Sequence, residues 1–546
     1  MRRLEDRLPG ATALLISAVA TTAFALWNPP VRDLAAHTFR AEYFEQHGFA
    51  IWNGTWYAGH FMLTYSILFP PLSALFTPIW VGALSAIASA YLFDRLVHER
   101  WGEGARFGSY WFAALGSVAM LANGWLAFAL GVAFALGALR AMQRHRWWLA
   151  ALAALACALS SPVAALFLAI VVTAGWAGGD RSRAVAAAAV VACSLLPIAV
   201  LGLAFPEGGR FPYWFSAWWP LPLLCMTALI AVRGIPGERQ FRAVVIAYLA
   251  IGTLLYVVPT QIGGNVTRMG SLFGGPALAA IVVTKRPRAP KALVALALIV
   301  GLAWQVITPL PDTIQSLGDP STKRSYYAPL NDWLASHGGT LSRTEIPFTF
   351  NHWESAYVTP RFQLARGWLR QLDTERNELF YEGRLTDARY LSWLREKGVR
   401  YVAASDSQLD YSAQIEDDLI RRQAPYLAPR AKLEHWTVYE VAGAQPLVTS
   451  DDGGRARLVE LEPQSFTLVV ARPGRFTVRA WHSPYWEIAK GSGCVGRQGD
   501  WVEVRADRAG PLRVESGFTA AGARRAVTGD EPRCRPLDRA ADGPAR

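Results

Sequence analysis

Cysteine is scarce in this sequence, with five residues among 546, and none lies at a spacing typical of metal ligands. Cys157, Cys193 and Cys225 lie in apolar runs, where cysteine behaves as a small buried hydrophobic residue. Cys494 and Cys534 lie in the more polar C-terminal part, and they can pair if that part is outside the cytoplasm. The cysteines therefore argue against a cysteine-based metal site and leave one disulfide open.

Charge is also low, at 18% of residues against 52% hydrophobic residues. A chain of this length is too long for one domain, and this composition is too apolar on average for a soluble protein. The apolar residues up to Thr308 form helix-length runs, whereas the sequence from Pro309 onward is typical of a globular protein. The chain therefore has two parts.

Acidic residues are few in the first part, which holds 11 Asp and Glu against 22 Lys and Arg. After Thr308 the numbers are 31 and 32. The formal charge of +12 thus belongs almost wholly to the apolar part, where basic residues report membrane topology. A nucleic-acid partner has no support.

Eleven apolar segments are predicted to cross a membrane, although several are shorter than the roughly 20 residues that a spanning helix needs. The first has no small-residue cleavage site after it and predicts an uncleaved anchor. A further segment, Leu63 to Phe76, contains Pro70 and Pro71 and is predicted to form a helix along the outer interface. The eleven segments are Ala11–Trp27, Val81–Val97, Gly108–Leu121, Trp125–Leu139, Trp147–Leu159, Val163–Ala177, Ala184–Phe205, Trp218–Val232, Ala243–Pro259, Met269–Thr284 and Ala292–Thr308.

The distribution of basic residues over alternate loops predicts the orientation. One set of loops holds 18 basic residues, whereas the other holds only Arg32, Arg40, Arg210 and Arg268. The larger set consists of Arg2, Arg3, Arg7, Arg95, Arg100, Arg106, Arg140, Arg144, Arg146, Arg181, Arg183, Arg233, Arg239, Arg242, Lys285, Arg286, Arg288 and Lys291. The basic set is expected in the cytoplasm, which places the amino end there. An odd number of spans then places everything after Thr308 outside.

The C-terminal part is predicted to contain three regions. Residues 309–443 alternate helical and strand-like patterns and predict an α/β domain. Residues 444–522 contain short alternating runs separated by turns, which favours a β-sandwich. Residues 523–546, rich in Arg, Ala, Gly, Asp and Pro, are predicted to be disordered.

The stretch from Trp27 to Pro71 mixes ionisable residues with aromatic residues just outside the first span. This mixture indicates a site for a ligand with an apolar part and a charged or sugar-like part. Asp33 is the candidate catalytic base, since a partly desolvated carboxylate can take a proton from a hydroxyl. The alternatives are a helix N-cap or an ion pair with Arg32 or Arg40. Glu42 is a second carboxylate and a candidate substrate contact, with a surface position as the alternative.

Five further residues are candidate substrate contacts. His37 and Arg40 share a face with Asp33 if the segment is helical, and with His60, which is predicted to open the interfacial helix, they can hold a phosphate. The alternative for each histidine is a structural role. Arg268 lies in an outer loop, Q-I-G-G-N-V-T-R-M-G-S, and suits an anionic headgroup unless it only snorkels to the interface. Arg210 lies in a second outer loop rich in aromatic residues.

The chain resembles the GT-C superfamily of integral-membrane glycosyltransferases in its general organisation. The shared features are an amino-terminal anchor, a long outer loop with an early Asp, an interfacial Pro-Pro helix, many short spans and a trailing outer domain. The resemblance is carried by the Asp33 stretch and by Y-S-I-L-F-P-P-L at residues 65–72. Three segments of the outer part look like YfhO-type bacterial membrane proteins, which are themselves GT-C-like: L-A-R-G-W-L-R-Q-L-D at 364–373, Y-L-S-W-L-R-E-K-G-V-R-Y-V at 390–402 and S-P-Y-W-E-I at 483–488. The opening loop has no Asp-x-Asp, which leaves the use of a divalent metal open.

The resemblance implies an all-α membrane domain with about 11 transmembrane helices, followed by an extracytoplasmic α/β and β-sandwich region. It implies inverting transfer of a sugar from a polyprenyl-phosphate donor to an envelope glycan, lipid or protein acceptor at the outer face of a bacterial plasma membrane, in contact with membrane lipids. Two alternatives stay open: a transporter or flippase, and a GT-C-like envelope scaffold without catalysis. The absence of an obvious paired repeat argues against the transporter.

Overall fold

The computed structural model describes residues 10–176, 181–234, 237–284, 289–530 and 534. Their first part is mostly helical and contains several apolar helices, whereas the second part is rich in β-strands. Six basic residues that contribute to the predicted orientation lie outside these ranges: Arg2, Arg3, Arg7, Lys285, Arg286 and Arg288. Ala177 and most of the predicted tail also lie outside them.

Within the described residues, helices lie at all eleven predicted apolar segments. A π-helical turn at Phe112–Gly116 joins α5 and α6 at the third segment. The helices of this part are α1 Ala11–Trp27, α2 Leu34–His47, α3 Phe69–Phe76, α4 Pro78–Trp101, α5 Arg106–Trp111, α6 Ser117–Ala122, α7 Leu126–Gln143, α8 Trp147–Ser160, α9 Pro162–Trp176, α10 Arg181–Ala204, α11 Phe215–Trp218, α12 Pro220–Ala231, α13 Glu238–Val257, α14 Thr267–Thr284 and α15 Lys291–Ile307.

Six helical segments among the described residues are long and apolar enough to cross a membrane. They are Pro78–Trp101, Leu126–Gln143, Ser182–Ala204, Glu238–Val257, Gly263–Thr284 and Lys291–Ser316. Four shorter apolar helices, Ala11–Trp27, Trp147–Ser160, Pro162–Gly175 and Phe215–Ala231, lie among them. The number of spans and their direction stay predictions.

The stretch after α1 differs from the prediction in two ways. The helix predicted from Leu63 begins only at Phe69, because Pro70 and Pro71 lack an N–H group and fit only the first helical turn. His60 therefore does not open a helix. It pairs with Asn53 in a two-stranded antiparallel ribbon of β1 (Trp52–Asn53) and β2 (His60–Phe61).

The α/β region contains a five-stranded sheet in the order β4-β3-β5-β7-β6. Strand β3 runs parallel to β4 and β5, and the other pairs are antiparallel. The elements are α16 Leu310–Ser316, α17 Arg324–Ser336, β3 Arg343–Glu345, α18 Glu354–Tyr357, β4 Gln363–Leu364, α19 Arg370–Arg376, α20 Asp387–Glu396, β5 Val399–Ser405, α21 Gln414–Arg421, β6 Leu427–Lys432 and β7 Trp436–Val441.

Two four-stranded antiparallel sheets follow, in the orders β12-β15-β10-β9 and β13-β14-β11-β8. Alternate residues such as Phe466, Val478, Val502 and Val514 form their common core. Cys494 and Cys534 form a disulfide with a Cα–Cα distance of 5.7 Å, so the pairing left open by the sequence is present. The strands are β8 Val448–Ser450, β9 Arg455–Glu462, β10 Ser465–Arg472, β11 Gly474–Trp481, β12 Trp486–Lys490, β13 Gly493–Gln498, β14 Trp501–Ala506 and β15 Gly510–Ser516.

The predicted disordered tail is wrong for its first residues, because α22 (Ala520–Thr528) continues the ordered chain. The hydroxyl of Thr519 caps this helix by accepting a hydrogen bond from the Gly522 N–H at 3.0 Å. Arg525 donates from Nη2 to the Pro484 carbonyl at 2.7 Å. The alanines of this segment form a short apolar face against the sandwich core, which composition alone does not reveal.

The loop between β1 and β2 joins the two parts of the chain. The Gly54 N–H donates to the Pro463 carbonyl at 2.6 Å, and the Trp481 N–H donates to the Ala58 carbonyl at 2.8 Å. Trp56 donates from Nε1 to the Ser355 carbonyl at 3.1 Å. These bonds hold the start of the membrane part against both C-terminal regions.

Candidate functional site

Asp33 occupies the N-cap position of α2, but its side chain does not cap the helix. Within the described part of the chain, its carboxylate has no hydrogen bond and no ion pair shorter than 4 Å. Neither of the two structural alternatives for Asp33 is therefore realised. The carboxylate remains available as a proton acceptor.

The electrostatic surroundings of Asp33 combine burial with positive charge. Burial raises the pKa of its carboxyl, while the guanidinium groups of Arg268, Arg32 and Arg370 lower it in that order of size. The net result is a raised pKa. A carboxylate of this kind binds a proton more readily than one in water.

The turn at residues 123–125 lies directly against Asp33. Gly124 has φ +67°, in the left-handed region, and a Cβ atom added to it would lie 2.9 Å from both the backbone nitrogen and the Cβ of Asp33. Glycine is therefore needed for the backbone conformation and for the close approach. No pattern in the sequence marks this turn as part of a site.

His37 lies one helical turn after Asp33 on α2 and contacts the 123–125 turn. It is 1% exposed, and its Nε2 lies 3.0 Å from the Gly124 carbonyl. A carbonyl only accepts, so this nitrogen is the donor. Burial, followed by the charge of Arg40, lowers the pKa of His37 to about 3, and the neutral ring cannot supply charge to a phosphate. The contact supports a positioning role.

Arg40 is 3% exposed and lies two turns after Asp33 on α2. Its guanidinium carbon is 4.2 Å from the centroid of the Tyr65 ring. The Nη1 atom is buried and has no hydrogen-bond partner within the described residues. A buried guanidinium nitrogen without an acceptor is costly, which suits an anionic ligand at this position.

Arg268 begins α14 and lies over two aromatic rings. Its guanidinium carbon is 4.8 Å from the Trp125 ring centroid and 5.3 Å from that of Phe128. Trp125 directly follows Gly124, so the turn beside Asp33 also positions Arg268. The carboxylate predicted from the first outer loop and the arginine predicted from a distant loop thus act on one another.

Tyr65 completes this cluster and was not among the predicted site residues. Burial raises the pKa of its phenol, and Asp33, Arg268 and Arg40 are the charged groups that act on it. Its ring also lies 6.0 Å from that of His37. The one signal in the sequence was its place at the start of the Y-S-I-L-F-P-P-L segment.

Three predicted contacts take other positions. Glu42 forms an ion pair with Arg324 at 2.6 Å, and Arg210 forms an exposed ion pair with Glu378 at 3.4 Å. Neither is among the groups that shift the pKa of Asp33. His60 is fully buried, with its ring stacked on Trp56 at a centroid distance of 5.3 Å.

The α/β region contributes charged side chains that act on Asp33 or on its neighbour Arg32. Arg32 lies 3.2 Å from Asp312 and 3.9 Å from Asp410. Arg370 donates to both oxygens of Asp410, at 3.1 and 2.8 Å. Burial would raise the pKa of Asp410, but Arg370 and then His352 hold it well below the usual range. These residues are far from Asp33 in sequence, and no motif indicated them.

Glu207, in the loop before α11, was also missed. Its Oε1 accepts the Phe61 N–H at 3.2 Å and lies 3.4 Å from Nη2 of Arg376. Burial raises the pKa of Glu207 to about 7, although Arg376, the bond from Phe61 and Arg40 lower it. The only signal was a single acidic residue in an aromatic-rich outer loop.

No group of three or more His, Cys, Asp or Glu side chains suited to a metal ion occurs within the described ranges. The cluster around Asp33 therefore consists of one carboxylate, the phenol of Tyr65 and two arginines, Arg40 and Arg268, with Arg32 and Arg370 beyond them.

No family model matches the chain, and no curated protein matches it. The YfhO-type resemblance therefore stays a prediction. Among solved structures, the chain is similar to the mycobacterial arabinofuranosyltransferase AftD, determined by single-particle cryo-EM, with 16% sequence identity and a TM-score of 0.48. The similarity covers 96% of this chain and 58% of that protein, so this chain spans less than two thirds of its length.

Proposed function

We propose that this chain is a GT-C-type membrane glycosyltransferase that moves a sugar from a polyprenyl-phosphate donor to an envelope acceptor at the outer face of the membrane. The observation that carries the proposal is the unpaired carboxylate of Asp33 beside Arg268, Tyr65 and the buried, partnerless Nη1 of Arg40. One proton acceptor beside two cations is what transfer from a phosphate leaving group requires.

In this mechanism Arg268 and Arg40 bind the phosphate of the donor, and the hydroxyl of Tyr65 donates a further hydrogen bond to it. Asp33 takes the proton of the acceptor hydroxyl while its oxygen attacks the anomeric carbon. The new carbon–oxygen bond forms as the bond to the phosphate oxygen breaks, on the opposite face of the sugar. The products are the inverted glycoside, polyprenyl phosphate and protonated Asp33.

The electrostatics support this division of roles. The raised pKa of Asp33 strengthens it as a base, and its partial exposure leaves it accessible to an acceptor. The arginines stabilise the negative charge that develops on the departing phosphate. His37 acts on the reaction only by holding the turn that separates Asp33 from Arg268.

The test compares Asp33→Asn with wild type in sugar transfer from a panel of polyprenyl-phosphate-linked sugars, followed by mass spectrometry of released polyprenyl phosphate. We expect turnover to fall by about 10²- to 10⁴-fold, because the amide cannot accept the proton. Glu42→Gln is the matched control, since Glu42 pairs with Arg324 and does not act on Asp33. Undiminished transfer by Asp33→Asn would refute the catalytic assignment.

A further inference from the structure

A second feature, separate from the Asp33 cluster, is a cavity of about 910 Å³ between the apolar helices. Helices α4, α7, α9, α12, α13 and α14 line it. Its size is near the upper end of the range for small-molecule sites, roughly 300–1,000 Å³. The walls are mainly apolar and include Phe93, Leu136, Phe167, Leu224, Val245 and Phe273. An occupant must therefore present a large apolar surface.

One end of this cavity lies far from Asp33. Helix α7 begins beside the Gly124 turn and has 18 residues, the last of which, Gln143, lines the cavity. At 1.5 Å per residue, this helix is about 27 Å long. Arg100, at the end of α4, and Arg239, at the start of α13, also line this end.

Arg100 and Arg239 are both exposed, and neither has an ion pair or a hydrogen bond within the part of the chain that the structure describes. By contrast, Arg140 and Arg144, near the same ends of the helices, both bind Glu99. Gly237 leaves room for the Arg100 guanidinium, because any side chain there would collide with it. The two arginines are thus cations without an acidic partner at the rim of an apolar cavity.

We propose that this cavity binds an anionic diacyl phospholipid, with its phosphate at Arg100 and Arg239 and its acyl chains along the apolar walls. Arginine binds phosphate oxygens in a bidentate manner, and an apolar cavity excludes small hydrophilic anions. Both arginines belong to the loops predicted to face the cytoplasm, where anionic lipids attract basic residues. The site contains no residue of the Asp33 cluster and does not depend on the proposed function.

The test measures retention of phosphatidylglycerol and phosphatidylcholine by the purified full-length protein, using native mass spectrometry after exchange into detergent with defined lipid. Wild type is expected to retain phosphatidylglycerol preferentially. Arg100→Gln with Arg239→Gln should weaken this retention by roughly fivefold for each arginine, as expected for one basic residue near an anionic lipid. Phosphatidylcholine has the same phosphate beside a choline cation, so its retention should fall by less.

Three further variants make the result specific. Arg233→Gln removes an exposed arginine of the same loops that does not line the cavity, and it should retain phosphatidylglycerol as wild type does. Arg100→Lys with Arg239→Lys keeps the charge and should retain more lipid than the glutamine variant. Ala135→Phe places a ring in the cavity with both arginines intact, and it should also reduce retention.

Two outcomes would overturn the proposal. One is wild-type retention of phosphatidylglycerol by the double glutamine variant. The other is loss of polyprenyl-phosphate binding in Ala135→Phe while phosphatidylglycerol binding is unchanged, because the cavity would then hold an isoprenoid tail. Elution as a single species and an unchanged melting temperature identify variants that remain folded.

Discussion

At the scale of single residues, the distinctive feature is the Asp33 carboxylate, which has cations around it but no direct partner among the residues that the structure describes. Arg32 is engaged by Asp312 and Arg370 by Asp410, while Arg268 lies over aromatic rings. Each cation acts on Asp33 through space without occupying its oxygen atoms. The pKa of Asp33 therefore stays raised, whereas a closed ion pair would lower it further towards the charged form.

Arg268→Ala should weaken donor binding by roughly 10- to 100-fold, because a charge-assisted hydrogen bond is worth about 1.5–3 kcal/mol. Asp33→Asn should still bind the donor. Binding of a polyprenyl-phosphate sugar to purified protein distinguishes the two. Arg210→Ala serves as the control, since that outer-loop arginine pairs with Glu378. Equal donor affinity in Arg268→Ala and wild type would remove Arg268 from the phosphate site.

A second residue-scale prediction concerns pH. Burial raises the pKa of Glu354 from the ordinary 4.5 to about 8, although its Oε2 accepts the Thr349 hydroxyl at 2.6 Å. The protonated form is thus favoured in the folded state, so its stabilising contribution is present below pH 4.5 and is lost as pH rises towards 8. Each pKa unit by which the folded and unfolded states differ corresponds to about 1.4 kcal/mol of folding free energy.

Glu354→Gln should therefore flatten the decline in melting temperature between pH 5 and 8, as measured by differential scanning fluorimetry. Burial shifts the pKa of nearby His352 in the opposite direction, to about 4, because burial disfavours its charged form. The difference between the wild-type and Glu354→Gln curves therefore reports the Glu354 carboxyl, because His352 is present in both proteins. Parallel curves for the two proteins would contradict the assignment.

At the scale of elements, the contact between the start of α2 and the 123–125 turn organises the site. Gly124→Ala should strain the left-handed backbone by about 1–2 kcal/mol and press a methyl group against Asp33. We expect a loss of sugar transfer greater than the loss of stability explains. The measurements are turnover and chemical denaturation on the same preparations.

Gly529→Ala is the matched control for this prediction. Gly529 also lies in the left-handed region, with φ +70°, but an added Cβ meets nothing within 4 Å. The control should therefore show the backbone strain without the effect on turnover. If both variants lose activity equally, the contact with Asp33 is not what matters.

At the scale of the whole molecule, the basic loops predict that the C-terminal regions lie outside the cytoplasm. A reporter that is active only outside, fused after Leu310, should be active, while the same reporter fused after Lys291 should be inactive. Protease accessibility in intact spheroplasts provides an independent check. The reverse pattern would overturn the predicted combination of eleven spans with a cytoplasmic amino end.

Much of the architecture could be read from the sequence because its signals are local. Runs of apolar residues located eleven segments that are helical, and the helical pattern of α2 placed His37 and Arg40 on the same side as Asp33. Alternating residues located the strands of the sandwich, such as Trp501–Ala506. Each such element shows its buried face in the spacing of its own apolar residues. It can therefore be recognised without knowing which element packs against it.

The site itself was decided by tertiary structure. Asp33 and Arg268 could be singled out as unusual charges, but Tyr65, Gly124 and the Arg370–Asp410 pair carried no recognisable pattern. Electrostatic shifts and close approaches depend on distances between residues that are up to several hundred positions apart in the chain. The sequence by itself therefore determined the elements and the candidate base, and packing determined which groups surround that base, because only packing brings distant charges within range of one carboxylate.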